Sequence, residues 1–253
     1  MPRARPLLAS LAFAATALHA QGSDAFAVTR WHGPAPRLDA RLDDPAWRAA
    51  AVLADFTQRD PAEGRPASER TEVRVVAADD ALWIGVVAHD GTPAGIRRVQ
   101  RRRDADLATD DQFTVLLSPL GDRRSGFLFT VNPAGALYDA ELLTFESENV
   151  AWDGVWDARA VVTDSGWTAE LRIPWATLRY PATATTWQAN FRRYVRRTNE
   201  EALWRAWRRP EGIRFLERSG TLAGLVELPR RARVEWRPYV ASTGTLAPRT
   251  FDA

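Results

Sequence analysis

The stretch 71–90, TEVRVVAADDALWIGVVAHD, constrains the fold more than any other part of the chain. Apolar and polar residues alternate through Val73 and Val75, stop at Asp79 and Asp80, and resume through Leu82, Ile84 and Val86. A period of two sends successive side chains to opposite faces of a pleated strand, and paired Asp residues suit a turn. The segment therefore predicts a β-hairpin with one buried face. The same signal recurs along the chain. Residues 111–118 pair with 126–132, and 136–144 follow the VNPAG turn. Residues 155–163 and 167–173 flank Asp164-Ser165-Gly166. Segments 187–196, 202–208 and 220–228 bring the count to about ten strands, with no alternation of strands and long helices. The expected fold is all-β: a jelly-roll-like β-sandwich of about ten antiparallel strands with one or two short helices. One helix begins at Pro45, capped by Asp44 and turning Trp47 inward, and a helical turn runs from Pro174 to Leu178. Residues 57–70 read as a polar loop, and 96–104 as a basic loop or one short helix.

Residues 1–20 read as a secretory signal: Arg3 and Arg5, an apolar run from Leu7 to Leu18, then Ala20 before Gln21. That run is about a dozen residues, short of the roughly 20 that a membrane helix needs. The expectation is an exported protein, periplasmic, outer-membrane associated or secreted, without a helical anchor. Residues 21–37 form a linker or first strand, 38–228 the sandwich, and 229–253 an extension whose VEWRPYVAST segment is again strand-like. With no cysteine, stability comes from a packed core. All 34 basic residues are Arg, yet 32 acidic residues bring the net charge to +2. The cluster Arg97, Arg98, Arg101, Arg102 and Arg103 reads as a solvated face, with no nucleic-acid partner. Eleven Trp are the unusual feature; large aromatics fill cores and also stack on sugar rings.

Several segments, in order and spacing, resemble the family 9 carbohydrate-binding modules, a β-sandwich fold shared with DOMON-like domains. They are Leu42-Asp43-Asp44-Pro45-Ala46-Trp47, the hairpin ending in Asp90, Thr109-Asp110-Asp111-Gln112-Phe113, Phe129-Thr130-Val131-Asn132, Trp167 through Ile173-Pro174-Trp175, and Trp187 through Asn190-Phe191-Arg192. The resemblance covers most of 38–228. It implies a non-catalytic domain that binds poly- or oligosaccharide of the xylan or cellulose type by Trp stacking. In one branch the module precedes an outer-membrane β-barrel, and WRPYV resembles the start of one. The alternative this implies is a periplasmic adaptor domain of such a barrel, without a sugar role.

The family's sugar slot lies between two Trp rings, with carboxylate, amide and guanidinium groups on the sugar hydroxyls. Here the first Trp position falls near Ala108, a Glu position near Thr114, an Arg position at Thr130 and a Gln position at Arg192. The second Trp corresponds to Trp207 or Trp204. Three-residue spacing on a strand would put those two on opposite faces. Trp152 and Trp156, in AWDGVWD beside Asn149, Asp153 and Asp157, are replacement aromatics. The expected carbohydrate-binding residues are Trp207, Trp204, Trp152, Trp156, Arg192 and Asn190. The resemblance also implies a structural calcium at Asp90, Asp110 and Asp111, since calcium takes carboxylate and carbonyl oxygens.

No nucleophile elbow, HExxH or phosphate loop occurs. Glu146 and Glu148 read as solvated charge at a hairpin end rather than as a glycosidase pair. Haem ligation of the DOMON type would need a Met–His pair, and Met1 is the only Met.

Overall fold

The computed structural model describes residues 24–229. The signal at 1–20 and the barrel-like segment beyond Pro229 lie outside the described residues. In chain order the strands are β1 (Ala25–Ala27), β2 (Thr29–Arg30), β3 (Thr57–Asp60), β4 (Thr71–Ala77), β5 (Ala81–His89), β6 (Gln112–Ser118), β7 (Gly126–Val131), β8 (Leu137–Thr144), β9 (Ser147–Asn149), β10 (Asp157–Thr163), β11 (Gly166–Pro174), β12 (Thr186–Val195), β13 (Glu200–Leu203) and β14 (Gly220–Ala223). The helix α1 (Pro45–Ala49) lies between β2 and β3, and single 3-10 turns occupy Pro93–Gly95, Trp175–Thr177 and Leu216–Arg218.

Two sheets form a sandwich. One has the order β10-β11-β5-β4-β2. The other runs β1-β14-β12-β6-β7-β8-β9, with β13 also on β12 and β3 beyond it. The period-two pattern builds the core between them. Phe113, Val115 and Leu117 of β6, with Phe129, Trp187 and Phe191, face Val73, Val75, Ile84, Val86, Trp167 and Leu171 of the smaller sheet in one buried cluster.

The outer face of the smaller sheet is closed by the chain between β2 and β3. Trp47 and Ala46 of α1 pack on Val76, Ala81 and Trp83. Gly85 lets this layer come close, because a Cβ there would stand 2.3 Å from Leu42 Cδ2. Glu170, fully buried on β11, holds the layer from beneath. Its Oε2 accepts the backbone N–H groups of Asp39 (2.8 Å) and Ala40 (2.7 Å), and its Oε1 accepts the Trp47 indole N–H (2.7 Å).

The departures from the sequence reading have local causes. Residues 57–60 were expected in a loop; they form β3 because β13 pairs with their backbone, a partnership that the TQRD composition does not announce. Two short pairings, β1 with β14 and β2 with β4, are parallel, so the sandwich is not wholly antiparallel. The strand expected over 202–208 ends at Leu203. The Asn190 side chain seizes the backbone of Arg205 on both sides, and Ala206 turns left-handed at φ 53°. Asp44 precedes α1, but its carboxylate accepts the Arg37 N–H instead of capping the helix.

Candidate carbohydrate-binding face

With the smaller sheet covered, the outer face of the larger one is where the sandwich offers polar side chains in register. Residues whose neighbours in sequence enter the core point outward here: Gln112, Thr114 and Leu116 on β6, Leu128 and Thr130 on β7, Tyr138, Ala140 and Leu142 on β8, and Asn190, Arg192 and Tyr194 on β12. Register aligns Tyr138, Thr130, Thr114, Arg192 and Leu203 as one row across five strands.

Hydrogen bonds fix the middle of the row. The Thr114 and Thr130 hydroxyls are 3.0 Å apart, and Arg192 Nη2 donates to Thr114 Oγ1 (3.0 Å) and to Gln112 Oε1 (2.9 Å). Gln112 in turn donates to the Leu107 carbonyl (2.6 Å), tying the row to the loop that carries exposed Ala108. Arg192 is half-buried, and desolvation pulls its pKa down from the ordinary guanidinium range. Burial, followed by the Glu148 charge, pushes the Tyr138 hydroxyl up.

Below the row, Leu116, Leu128, Ala140 and Leu142, together with Leu203 at the row's end, are roofed by Ile213 and Leu216 from the loop after β13. Half-buried Tyr138 and Trp207 pack at the edge of that cluster. Phe145, 43% exposed at the turn between β8 and β9, meets Phe215 edge-on at 5.3 Å. Glu148 is half-buried and paired with Arg214 at 2.6 Å, so it is not the free solvated charge expected at the hairpin end. The structure thus joins Thr114, Thr130, Arg192 and Trp207, which are far apart in sequence, on one face. Gln112 and Tyr138 belong to it too; no local sequence pattern marks them, and only strand register places them there.

The other expected residues go elsewhere. Trp204 is 2% exposed and enters the sandwich core beside Phe191 at 5.7 Å, so it presents no ring to a ligand. Asn190 points to the outer face but is fully buried. Its amide donates to the Arg205 carbonyl (2.8 Å), and its oxygen accepts the N–H groups of Phe191 and Arg205. It is a backbone anchor with nothing left for a sugar. Trp156 is core, its indole N–H bonded to Asp139 at 3.0 Å. Trp152 is half-buried and rests on Phe127 at 4.9 Å, against the sandwich interior rather than the Arg192 row. Asp139 organises that corner, also accepting the Gly154 N–H (2.7 Å) and Arg103 (2.6 Å).

Most of the oxygens at the expected calcium positions already have protein partners. Both oxygens of Asp110 are spent on the N–H groups of Val99 and Gln100 and on the Asn132 amide, which shapes the basic loop without a helix. Asp90 Oδ1 accepts Thr92 N–H and Arg197, and Asp111 Oδ1 accepts the Arg196 N–H. The second oxygens of Asp90 and Asp111 have no hydrogen bond, but the buried guanidinium of Arg193 stands 3.8 Å from Asp90 Oδ2 and supplies the positive charge. Among the described residues, no three acidic or His side chains converge as metal ligands.

No protein family matches this sequence. No curated protein does either. Solved structures do resemble the fold. A Bacteroides uniformis protein, described as a candidate carbohydrate-binding protein, superposes with a TM-score of 0.57 at 16% identity, over 79% of this chain and 98% of that one. A family 9 carbohydrate-binding module from Caldicellulosiruptor kristjanssonii in complex with cellotriose gives 0.54 at 13% identity, over 85% of this chain and 100% of the other. A family 9 module from the same organism, in complex with glucose, gives 0.52 at 14%, over 82% and 97%. The chain is a β-sandwich with the fold of the family 9 carbohydrate-binding modules.

Proposed function

We propose that this domain binds poly- or oligosaccharide on the outer face of its larger sheet and carries out no reaction itself. The observation that carries the reading is the pair of half-buried polar groups Tyr138 and Arg192 at either end of a polar row whose buried Thr130 and Thr114 hydroxyls hold the guanidinium in place, with the half-buried Trp207 ring packed at the edge of the same face. Sugars present apolar ring faces and hydroxyl edges, and a surface pairing aromatics with a few positioned polar groups matches both. The modules solved with cellotriose and glucose share the fold, which supports the same use of the scaffold. Trp207 is the indole assigned to stacking, and β-linked glucan and xylan chains are the first ligands to try. The export signal read at 1–20 goes with a ligand outside the cytoplasm.

Calorimetric titration with cello-, xylo- and uronate-containing oligosaccharides tests the reading, with Trp207→Ala as the variant. Binding that is lost in the variant, while its melting curve stays near wild type, is the expected result. No heat and no change of Trp fluorescence with any sugar at millimolar concentration would overturn it.

A further inference from the structure

We infer that the saccharide held on this face carries a carboxylate, as in an oligosaccharide containing uronic acid, and that Arg192 is the residue that selects it. The inference rests on the reading of this face as a sugar site.

Glu201 lies on β13 and is already paired with Arg59 at 3.0 Å, and Glu148 on β9 is paired with Arg214 at 2.6 Å. Those two carboxylates are thus in contact with Arg59 and Arg214, although the Glu201 charge still acts on Arg192 through space. Arg192 has no carboxylate partner among the described residues: its Nη2 rests on two neutral oxygens, those of Gln112 and Thr114. Its Nε is buried without an acceptor. A guanidinium withdrawn from water with no carboxylate in contact is costly, and a group that brings a negative charge to it supplies a contact that the protein leaves open. A neutral sugar hydroxyl can accept a hydrogen bond there but cannot balance the charge.

The surroundings choose the kind of anion. A carboxylate is planar and can meet in-plane donors, and with Nη2 spent on Gln112 and Thr114 and Nε buried, Nη1 is the nitrogen left to receive one of its oxygens. The groups next to Arg192 are not further cations aimed at a phosphate. They are the buried Thr114 and Thr130 hydroxyls, which brace the guanidinium, and half-buried Tyr138 on the strand beyond them, with Trp207 at the edge of the face. That arrangement suits the rest of a sugar chain. Thr114 matters for the same reason. A carboxylate at this position would neutralise Arg192 and repel an acidic ligand, whereas the hydroxyl does neither while still fixing the guanidinium.

The test compares tri-galacturonic acid, its methyl ester, a glucuronic-acid-substituted xylo-oligosaccharide and cellotriose by calorimetry on the whole chain, at low and at raised salt. The expected result is that at least one acidic sugar binds about tenfold or more tightly than its neutral counterpart. The preference should shrink at about 0.5 M NaCl. Arg192→Met should abolish the preference, and Arg192→Lys, which restores a charge if the Met variant is poorly folded, should keep part of it. Equal binding of acid and ester, or binding of cellotriose alone, overturns this inference and leaves the sugar-binding reading intact. Competition by acetate as strong as by the acidic trisaccharide overturns it too, by showing an anion site without sugar recognition. Failure of every saccharide to bind removes both.

Discussion

Replacing Glu170 by Gln changes one buried atom of the clamp beneath α1 and removes its charge. In the native protein burial pushes the Glu170 carboxyl up to about 7, from an ordinary 4.5, against the downward pull of the N–H groups of Ala40, Asp39 and Trp47. Between these two values the folded state binds a proton that the unfolded chain has released, so stability falls as pH rises from 4.5 through 7. At 1.36 kcal/mol per pH unit, the contribution present below pH 4.5 and lost above pH 7 is about 3 kcal/mol. An amide at this position would carry no such dependence. It would, however, turn an NH2 group toward either the indole or the two backbone donors, at a cost of about 1–3 kcal/mol for the unmet hydrogen bonds. Glu170→Gln should therefore be less stable than wild type at about pH 5 and approach or pass it at about pH 8. Urea unfolding followed by Trp fluorescence across that range reads both effects. Stability curves that run parallel in pH for the two proteins would refute the reasoning.

Trp204→Ala should cost about 3–5 kcal/mol in denaturant unfolding, as expected for a large ring removed from a packed core; a variant of near-wild-type stability would mean that the ring is not core. Asn190→Ala frees the Arg205 backbone from both of its bonds and should lower stability by about 2 kcal/mol or more, with faster hydrogen exchange at Arg205 as the check. Because Arg193 already supplies a positive charge beside Asp90 and Asp111, the melting temperature should be the same in EDTA and in millimolar calcium; a rise with calcium would restore a metal to that cluster.

Much of the fold could be read from local patterns. The hairpins at 71–90 and 157–174 have period-two cores and polar turns, and β6, β7, β8 and β12 formed within a residue or two of their expected bounds. What could not be read was pairing that depends on a distant edge. Strand β3 has no apolar alternation and exists through its contact with β13, and β1 and β2 gain their parallel partners only once the sandwich has closed. Trp content announced large aromatic rings but not which side they take. Trp204 and Trp207 come from one short segment, yet the first fills the core and the second stays at the edge of the outer face, because the strand ends at Leu203 and the chain turns left-handed at Ala206 between them.

The sequence by itself determined that this chain builds a two-sheet sandwich, since alternation and turn chemistry are local properties that each segment carries with it. Only the tertiary structure decided which residues share the candidate face. Thr114, Thr130, Tyr138 and Arg192 become neighbours through inter-strand register, which joins residues up to 78 positions apart in a single hydrogen bond. The same closure settled which charges are matched. Arg193 goes inward to the carboxylates of Asp90 and Asp111, while Arg192, one residue before it, is turned by the pleat to the outer face with only neutral oxygens to hold it.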